Sequence, residues 1–394
     1  MKKVPSGVWQ LAALMLVHFT ADMVGCIIPG ILPVLRDNFG MTLQMGVIFL
    51  AIRALSSNFC QILVGPLRKN SGRPFFIYVG LLLLMLIGIF GFLPRTSPKV
   101  LLYVLSAVFG CGTAMVHPEG LRGAMAIKDI NSATSTAMFM TVGFFGASCG
   151  PLVGALLVDC AWGLKTFVFV ALFILLVILA IFAAKVNLLT DNKDKNSNSA
   201  AGQPSCVNSL PFLFLIACFM NSATTILQGL LPTFLYEMNG FSLKIGGAGA
   251  LIFGFGSAVG SIIGGVLAKK TDALKITIFN LFFGFILVIA YFALSSKLAA
   301  LPMLFAAGFC ASSSLPLLVV MARNTKDKLV IGLKMGIMVG GSWGVAGVVL
   351  LCSSFFIEKI GLVNVMYLSG VLYALAFIFA LLSMLCRKRN IIDQ

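Results

Sequence analysis

The strongest constraint on this chain is a series of long apolar stretches almost free of charge. A helix needs about 20 such residues to cross a bilayer core. Stretches of that size lie at 8–35, 43–66, 74–94, 100–121, 132–158, 166–184, 209–236, 245–268, 275–296, 298–322, 334–357 and 362–386. An all-α membrane protein with twelve transmembrane helices is therefore expected. Short polar turns separate the stretches, except at residues 187–208, where the run NLLTDNKDKNSNSAAGQPSCVN predicts a flexible cytoplasmic linker. It divides the chain into an N-terminal six-helix bundle over 1–186 and a C-terminal one over 209–394. The N-terminal apolar stretch is too long for a signal-peptide core, so it reads as the first span.

Charge supports this reading once it is located. Only 10% of the residues are charged, against about 25% in soluble domains. The net charge of +16 would suggest a nucleic-acid partner in a soluble protein. Here Lys and Arg fall unevenly across the loops. With a cytoplasmic N-terminus, 20 of the 28 stand on the cytoplasmic side, 7 on the other, and Arg53 alone lies within a span. Basic residues accumulate on the cytoplasmic side of short loops, so both termini are expected inside, with the basic face against anionic lipid headgroups. No nucleic-acid partner is expected.

The two halves repeat one another. GILP at 30–33 matches GLLP at 229–232, GMTLQMG at 40–46 matches GFSLKIG at 240–246, and Gly65 with Lys69 matches Gly265 with Lys269. Parallel six-helix repeats are what a two-bundle transporter shows, with its substrate path near the bilayer midplane.

Ionisable groups inside spans are expensive and mark functional sites. His18 and Asp22, four apart, share one face of the first span. They sit about 15 and 21 Å from its cytoplasmic end at about 1.5 Å per residue. Arg53 lies about 15 Å below the outer end of the second span by the same arithmetic. Asp22 and His18 are expected to take up the proton, and Arg53 to act as counter-charge or anion ligand; a structural ion pair is the alternative. His117 and Glu119 come late in the fourth span with Arg122 one turn on, and are expected to gate or to form a second protonation site, a simple interfacial Glu119–Arg122 pair being the alternative. Ser57 and Gln61 follow Arg53 on one helix side, and Asn221, Thr225 and Gln228 line another. Both stripes are expected to contact substrate, against the alternative of helix–helix hydrogen bonding.

Small residues recur at four-residue spacing in the fifth span, at Gly146, Gly150 and Gly154 with Pro151, and again at Gly336, Gly340 and Gly344. Such stripes let helices approach closely and give a span a place to flex. The cysteines lie mostly inside apolar runs and read as small hydrophobes. Two histidines are too few for a multi-histidine metal centre, and there is no CxxC or HExxH. No metal and no cofactor are expected.

These residues resemble the major facilitator superfamily. The string Gly146-x-x-x-Gly150-Pro151-x-x-Gly154 is similar to the motif its antiporters carry in the fifth helix. The loop Gly65-Pro-Leu-Arg-Lys-Asn-Ser-Gly72-Arg73 is similar to the motif between its second and third helices, with Lys69 where that motif has an acidic residue. His18-x-x-x-Asp22, Ser57 and Gln61 before Gly65, and His117-Pro118-Glu119-x-x-Arg122 resemble the fosmidomycin-resistance group of efflux transporters. The resemblance implies proton-driven export of a small drug-like molecule from a bacterial inner membrane, by a monomer that is no enzyme. Gating would then fall to Arg122 and the glycines and proline of the fifth span. A proton-coupled importer of a small organic anion is the alternative. A membrane-embedded enzyme or a sensor is more remote, because no nucleophile–base pair, phosphate loop or soluble domain is evident.

Overall fold

The computed structural model describes residues 7–67, 72–127, 130–188, 208–327 and 329–392. Every regular element among them is helical. Ten helical stretches are long and apolar enough to cross a membrane, which makes this an integral membrane protein. One runs over Leu333–Arg387, 55 residues, and the backbone breaks within it at Gly361 (φ 81°, ψ 157°), a conformation open to glycine. Phe75–Gly91 is apolar but shorter, an α-helix that tightens into a 3₁₀ turn. The expected twelve spans thus differ from the observed ten at these two places. Chain contacts divide the molecule into two compact units, Met1–Lys195 and Asn196–Gln394. Most of the linker reading, and Lys69 of the loop motif, lie outside the described residues.

In the first unit the elements are α1 (Gly7–Gly25), α2 (Ile27–Phe39), α3 (Leu43–Leu67), α4 (Phe75–Leu84), α5 (Lys99–Met125), α6 (Ser132–Val158) and α7 (Phe167–Ala184). The first span is broken between α1 and α2 at Cys26, whose N–H is shared between the carbonyls of Asp22 (3.0 Å) and Met23 (3.2 Å). Pro29 explains the break: it has no N–H to offer the Gly25 carbonyl one turn back, and its ring crowds that carbonyl.

α6 lies along this broken span with almost no side chain between the two. A Cβ built on Gly150 would stand 2.8 Å from the Cys26 carbonyl carbon, and one on Gly154 2.9 Å from the Ile27 oxygen. Gly146 meets the Phe19 backbone, and Gly30 of α2 returns the contact against Pro151. The fifth-span glycines are therefore a seat for α1 and α2, as expected of small residues at that spacing. The Gly336 and Gly344 stripe behaves differently, and its expected close packing is corrected. Among the described residues, no atom of another helix lies within 4 Å of a Cβ placed on either residue, and a π-helical turn, Ile337–Gly341, interrupts the helix between them.

In the second unit the elements are α8 (Leu210–Glu237), α9 (Leu243–Leu267), α10 (Ala273–Leu294), α11 (Leu301–Ala311), α12 (Leu315–Arg323), α13 (Ile331–Gly336) and α14 (Ser342–Ile392). α8 packs along α14, and α9 along α11. Arg387 near the end of α14 pairs with Asp272 at 2.6 Å, and the same carboxylate caps the start of α10 through the Leu274 N–H at 2.8 Å.

Candidate functional site

Asp22 sits in the last turn of α1, with one carboxylate oxygen for each of two imidazoles. Oδ2 meets His18 Nε2 at 3.2 Å, and Oδ1 meets His117 Nε2 at 3.0 Å. His18 reaches Asp22 because residues four apart share a helix face. His117 arrives from α5, and the two rings stand edge to face with centroids 4.8 Å apart. The spacing along α1 revealed the first pair, whereas the second histidine comes from a helix about a hundred residues away.

The backbone fixes the tautomer of both rings. His18 Nδ1 lies 2.8 Å from the Phe139 carbonyl of α6, and His117 Nδ1 lies 2.7 Å from the Thr113 carbonyl of its own helix. A carbonyl oxygen can only accept, so each Nδ1 carries a hydrogen and donates it. Both Nε2 atoms are thereby turned toward Asp22. Each Nε2–carboxylate contact then needs one hydrogen between nitrogen and oxygen, from an imidazolium or from a protonated carboxyl. The arrangement with both contacts made holds two such hydrogens, and two histidines with one aspartate then carry a net charge of +1.

Packing holds the pair rigidly on one side and leaves it open on the other. His18 is 2% exposed and stacks on the Phe139 ring at 4.1 Å between centroids. The ring also lies against Gly143, where any Cβ would collide with the imidazole. Asp22 is 14% and His117 22% exposed, so small species reach the carboxylate and the second ring. Phe139, Thr113 and Gly143 hold the cluster in place and were not among the expected site residues. Two act through backbone carbonyls and one through having no side chain, so residue type gave no signal beyond the place of Gly143 one turn before Gly146.

The other expected residues fall into separate places. Arg53 of α3 does not pair with Asp22. Its Nε is buried without a hydrogen-bond partner, it makes no ion pair with a described residue, and Nη1 stands 3.6 Å from a Cβ placed on Gly25. The cation thus lies about one turn beyond Asp22 along the first span. Ser57 and Gln61 share its helix side, both partly exposed. Glu119 is 1% exposed and lies outside the Asp22 cluster; its Oε2 accepts the Ile77 N–H at 2.8 Å, in the first turn of α4. There it meets the positive end of a helix. Arg122 follows one turn later on α5.

In the second unit the expected stripe on α8 divides. Asn221, 1% exposed, donates to Ser342 Oγ at 2.7 Å, and Ser342 begins α14 directly after the π-helical turn. Asn221 therefore ties two helices, the alternative held open for this stripe. Thr225 Oγ1 is buried without a partner, and Gln228 is half-buried. Beside them Thr224, Ser312 and Tyr373 close a triangle of hydroxyls, 2.8 to 2.9 Å on each side. This cluster was also missed. Its trace in the sequence is a tyrosine in a chain with 34 Phe and 6 Tyr, where a buried ring with a hydroxyl needs a partner.

Among the described residues these clusters hold imidazoles, a carboxylate and hydroxyls, groups that bind ligands and hold protons. Two imidazoles and a carboxylate come together with their donor atoms all within 4.8 Å of one another.

Comparison with known proteins places the chain among membrane transporters. The family model of the Major Facilitator Superfamily matches residues 14–328. The chain is 28% identical over 359 residues to the fosmidomycin resistance protein of Escherichia coli (strain K12), covering 86% of this chain and 83% of that protein. It is 26% identical over 265 residues to the uncharacterized MFS-type transporter YfnC of Bacillus subtilis (strain 168), covering 64% and 63%. Among solved structures it resembles a bacterial homolog of the human lysosomal transporter Spinster, in an inward-facing and occupied conformation. The TM-score is 0.72 at 16% identity, over 95% of this chain and 96% of that one.

Proposed function

This chain belongs to the major facilitator superfamily, and from that premise we propose a proton-coupled antiporter that exports a small amphiphilic or anionic compound by alternating access. The family and the relatives are transporters, not enzymes. The finer reading rests on one observation, the Asp22 carboxylate held between the Nε2 atoms of His18 and His117. Buried acid–imidazole clusters in membrane spans are proton relays. In this reading the cluster is loaded when both nitrogen–oxygen contacts hold a hydrogen. Loss of one leaves two lone pairs facing each other, so one contact opens and the helices carrying it are freed to move.

Arg53 supplies the second half. A guanidinium near mid-depth without an internal partner among described residues is suited to a ligand's negative charge. Ser57, Gln61, Thr225 and Gln228 complete the proposed lining. Glu119 is assigned to holding α4 and Asn221 to tying α8 to α14, instead of proton and substrate handling.

We count Phe75–Gly91 as a crossing and divide the last stretch at Gly361 to reach twelve spans, and assign both termini to the cytoplasmic side from the bias of basic residues. We place the protein, as a monomer, in a bacterial inner membrane. Export follows the name of the Escherichia coli relative and the fifth-span glycines. Arg53, without an ion-pair partner among the described residues, also suits import of an organic anion, and the direction of the imposed gradient separates the two. In proteoliposomes, an inside-acid pH gradient should drive uptake of the exported compound, matching export from a cell with an acidic exterior. Uptake driven only by an outside-acid gradient would make it a symporter, and flux indifferent to both gradients would remove the proton from the reading.

A further inference from the structure

We propose that His18, Asp22 and His117 form a binding site for a divalent transition cation of the zinc class. The inference rests on the geometry of the cluster, and it holds whichever ion drives transport.

The ligand set fits. Imidazole nitrogens and a carboxylate oxygen are zinc ligands, and two histidines with one carboxylate leave a fourth position open. Bonds of about 2.0–2.1 Å in a tetrahedral site put neighbouring ligand atoms about 3.3 Å apart. The two Nε2–oxygen distances here are 3.2 and 3.0 Å, and all three donor atoms lie within 4.8 Å of one another. The two contacts use different carboxylate oxygens, and closing the widest donor separation, up to 4.8 Å, to about 3.3 Å needs an adjustment of about 1–1.5 Å shared among the three side chains.

The surroundings are those a metal site requires. A metal-binding imidazole donates its other ring N–H to a carboxylate, carbonyl or water, which fixes the tautomer and raises the basicity of the ligating nitrogen. His18 and His117 both do this, through Phe139 O and Thr113 O. Both lone pairs are thus preset toward one point, in a protein whose only histidines are these two. The partial exposure of Asp22 and His117 supplies the entry path and room for a fourth ligand, water or a ligand anion. The cation occupies the space of the two bridging hydrogens, so metal and protons exclude each other. Borderline nitrogen donors select zinc, cobalt or nickel over magnesium and calcium, which prefer all-oxygen shells.

The test uses the full-length protein in detergent, without a polyhistidine tag. Zn²⁺ titrated by calorimetry should bind at one site per chain and Mg²⁺ should not. X-ray absorption should give a nitrogen/oxygen shell at about 2.0 Å with imidazole outer scattering and no sulfur shell near 2.3 Å. His117→Gln and Asp22→Asn should each weaken Zn²⁺ at least about tenfold, while Cys60→Ser with Cys111→Ser leaves it unchanged. A sulfur shell, or unaltered affinity in folded His117→Gln protein, overturns the proposal. If the variants fail to fold, the absorption spectrum of the unmodified protein decides. Failed proton coupling with intact zinc binding would reject the transport reading alone.

Discussion

The imidazole of His117, carried by α5, meets the carboxylate of Asp22, carried by α1, at 3.0 Å. That contact makes a two-helix acid–base pair out of what would otherwise be a local His18–Asp22 interaction on one helix.

Asp22→Asn is expected to abolish transport driven by a pH gradient while substrate counterflow continues. The amide keeps the size and can hydrogen-bond one ring, but it cannot gain or lose the proton. Gradient-driven flux in this variant at the unmodified rate would exclude the carboxylate from coupling.

Arg53→Ala should weaken binding of an anionic ligand far more than that of a neutral analogue. A charge-assisted hydrogen bond is worth about 1.5–3 kcal/mol, or roughly 10- to 150-fold in affinity. Competition assays on a matched pair of compounds read this ratio, and equal losses on both would take Arg53 out of recognition.

Gly143→Ala is expected to lower stability by about 1–3 kcal/mol, the usual cost of overpacking. The new methyl would push His18 off its stack with Phe139. In thermal unfolding, His18→Ala should relieve most of that penalty when the two are combined. Additive losses would mean that the methyl clashes with something else.

Glu119→Ala should destabilise the protein by about 0.5–2 kcal/mol, the range for loss of a helix cap. Glu119→Gln, which still offers an oxygen to the Ile77 N–H, should melt near the parent and keep coupled transport. Loss of pH-driven flux in the Gln variant would return Glu119 to the proton pathway.

What the sequence disclosed and what it withheld divide along physical lines. Spans were legible because long uncharged runs are rare outside membranes, and the reading faltered where backbone departs from a straight α-helix. Phe75–Gly91 tightens into a 3₁₀ turn, and the chain passes Gly361 without an intervening polar loop. Asp22 and His18 could be found because a helix repeats every 3.6 residues. His117 could be nominated as a charge-capable residue in a span, but its partner could not, since that depends on how α5 packs beside α1. Glu119 shows another limit of the sequence: its contact with the start of α4 depends on packing. A buried carboxylate reads as reactive, and this one also accepts the N–H of Ile77 at a helix end.

The bond from His18 to the Phe139 carbonyl links position to chemistry. The acceptor is main chain, so no substitution at Phe139 removes it, but displacement of α6 does. A slide of one residue, about 1.5 Å, would carry the oxygen away and leave His18 free to exchange which nitrogen bears its hydrogen. The imidazole would then stop presenting a fixed lone pair to Asp22. In this way the ring acts as a gauge of where α6 stands along α1, and it reports sliding as a change in acid–base identity.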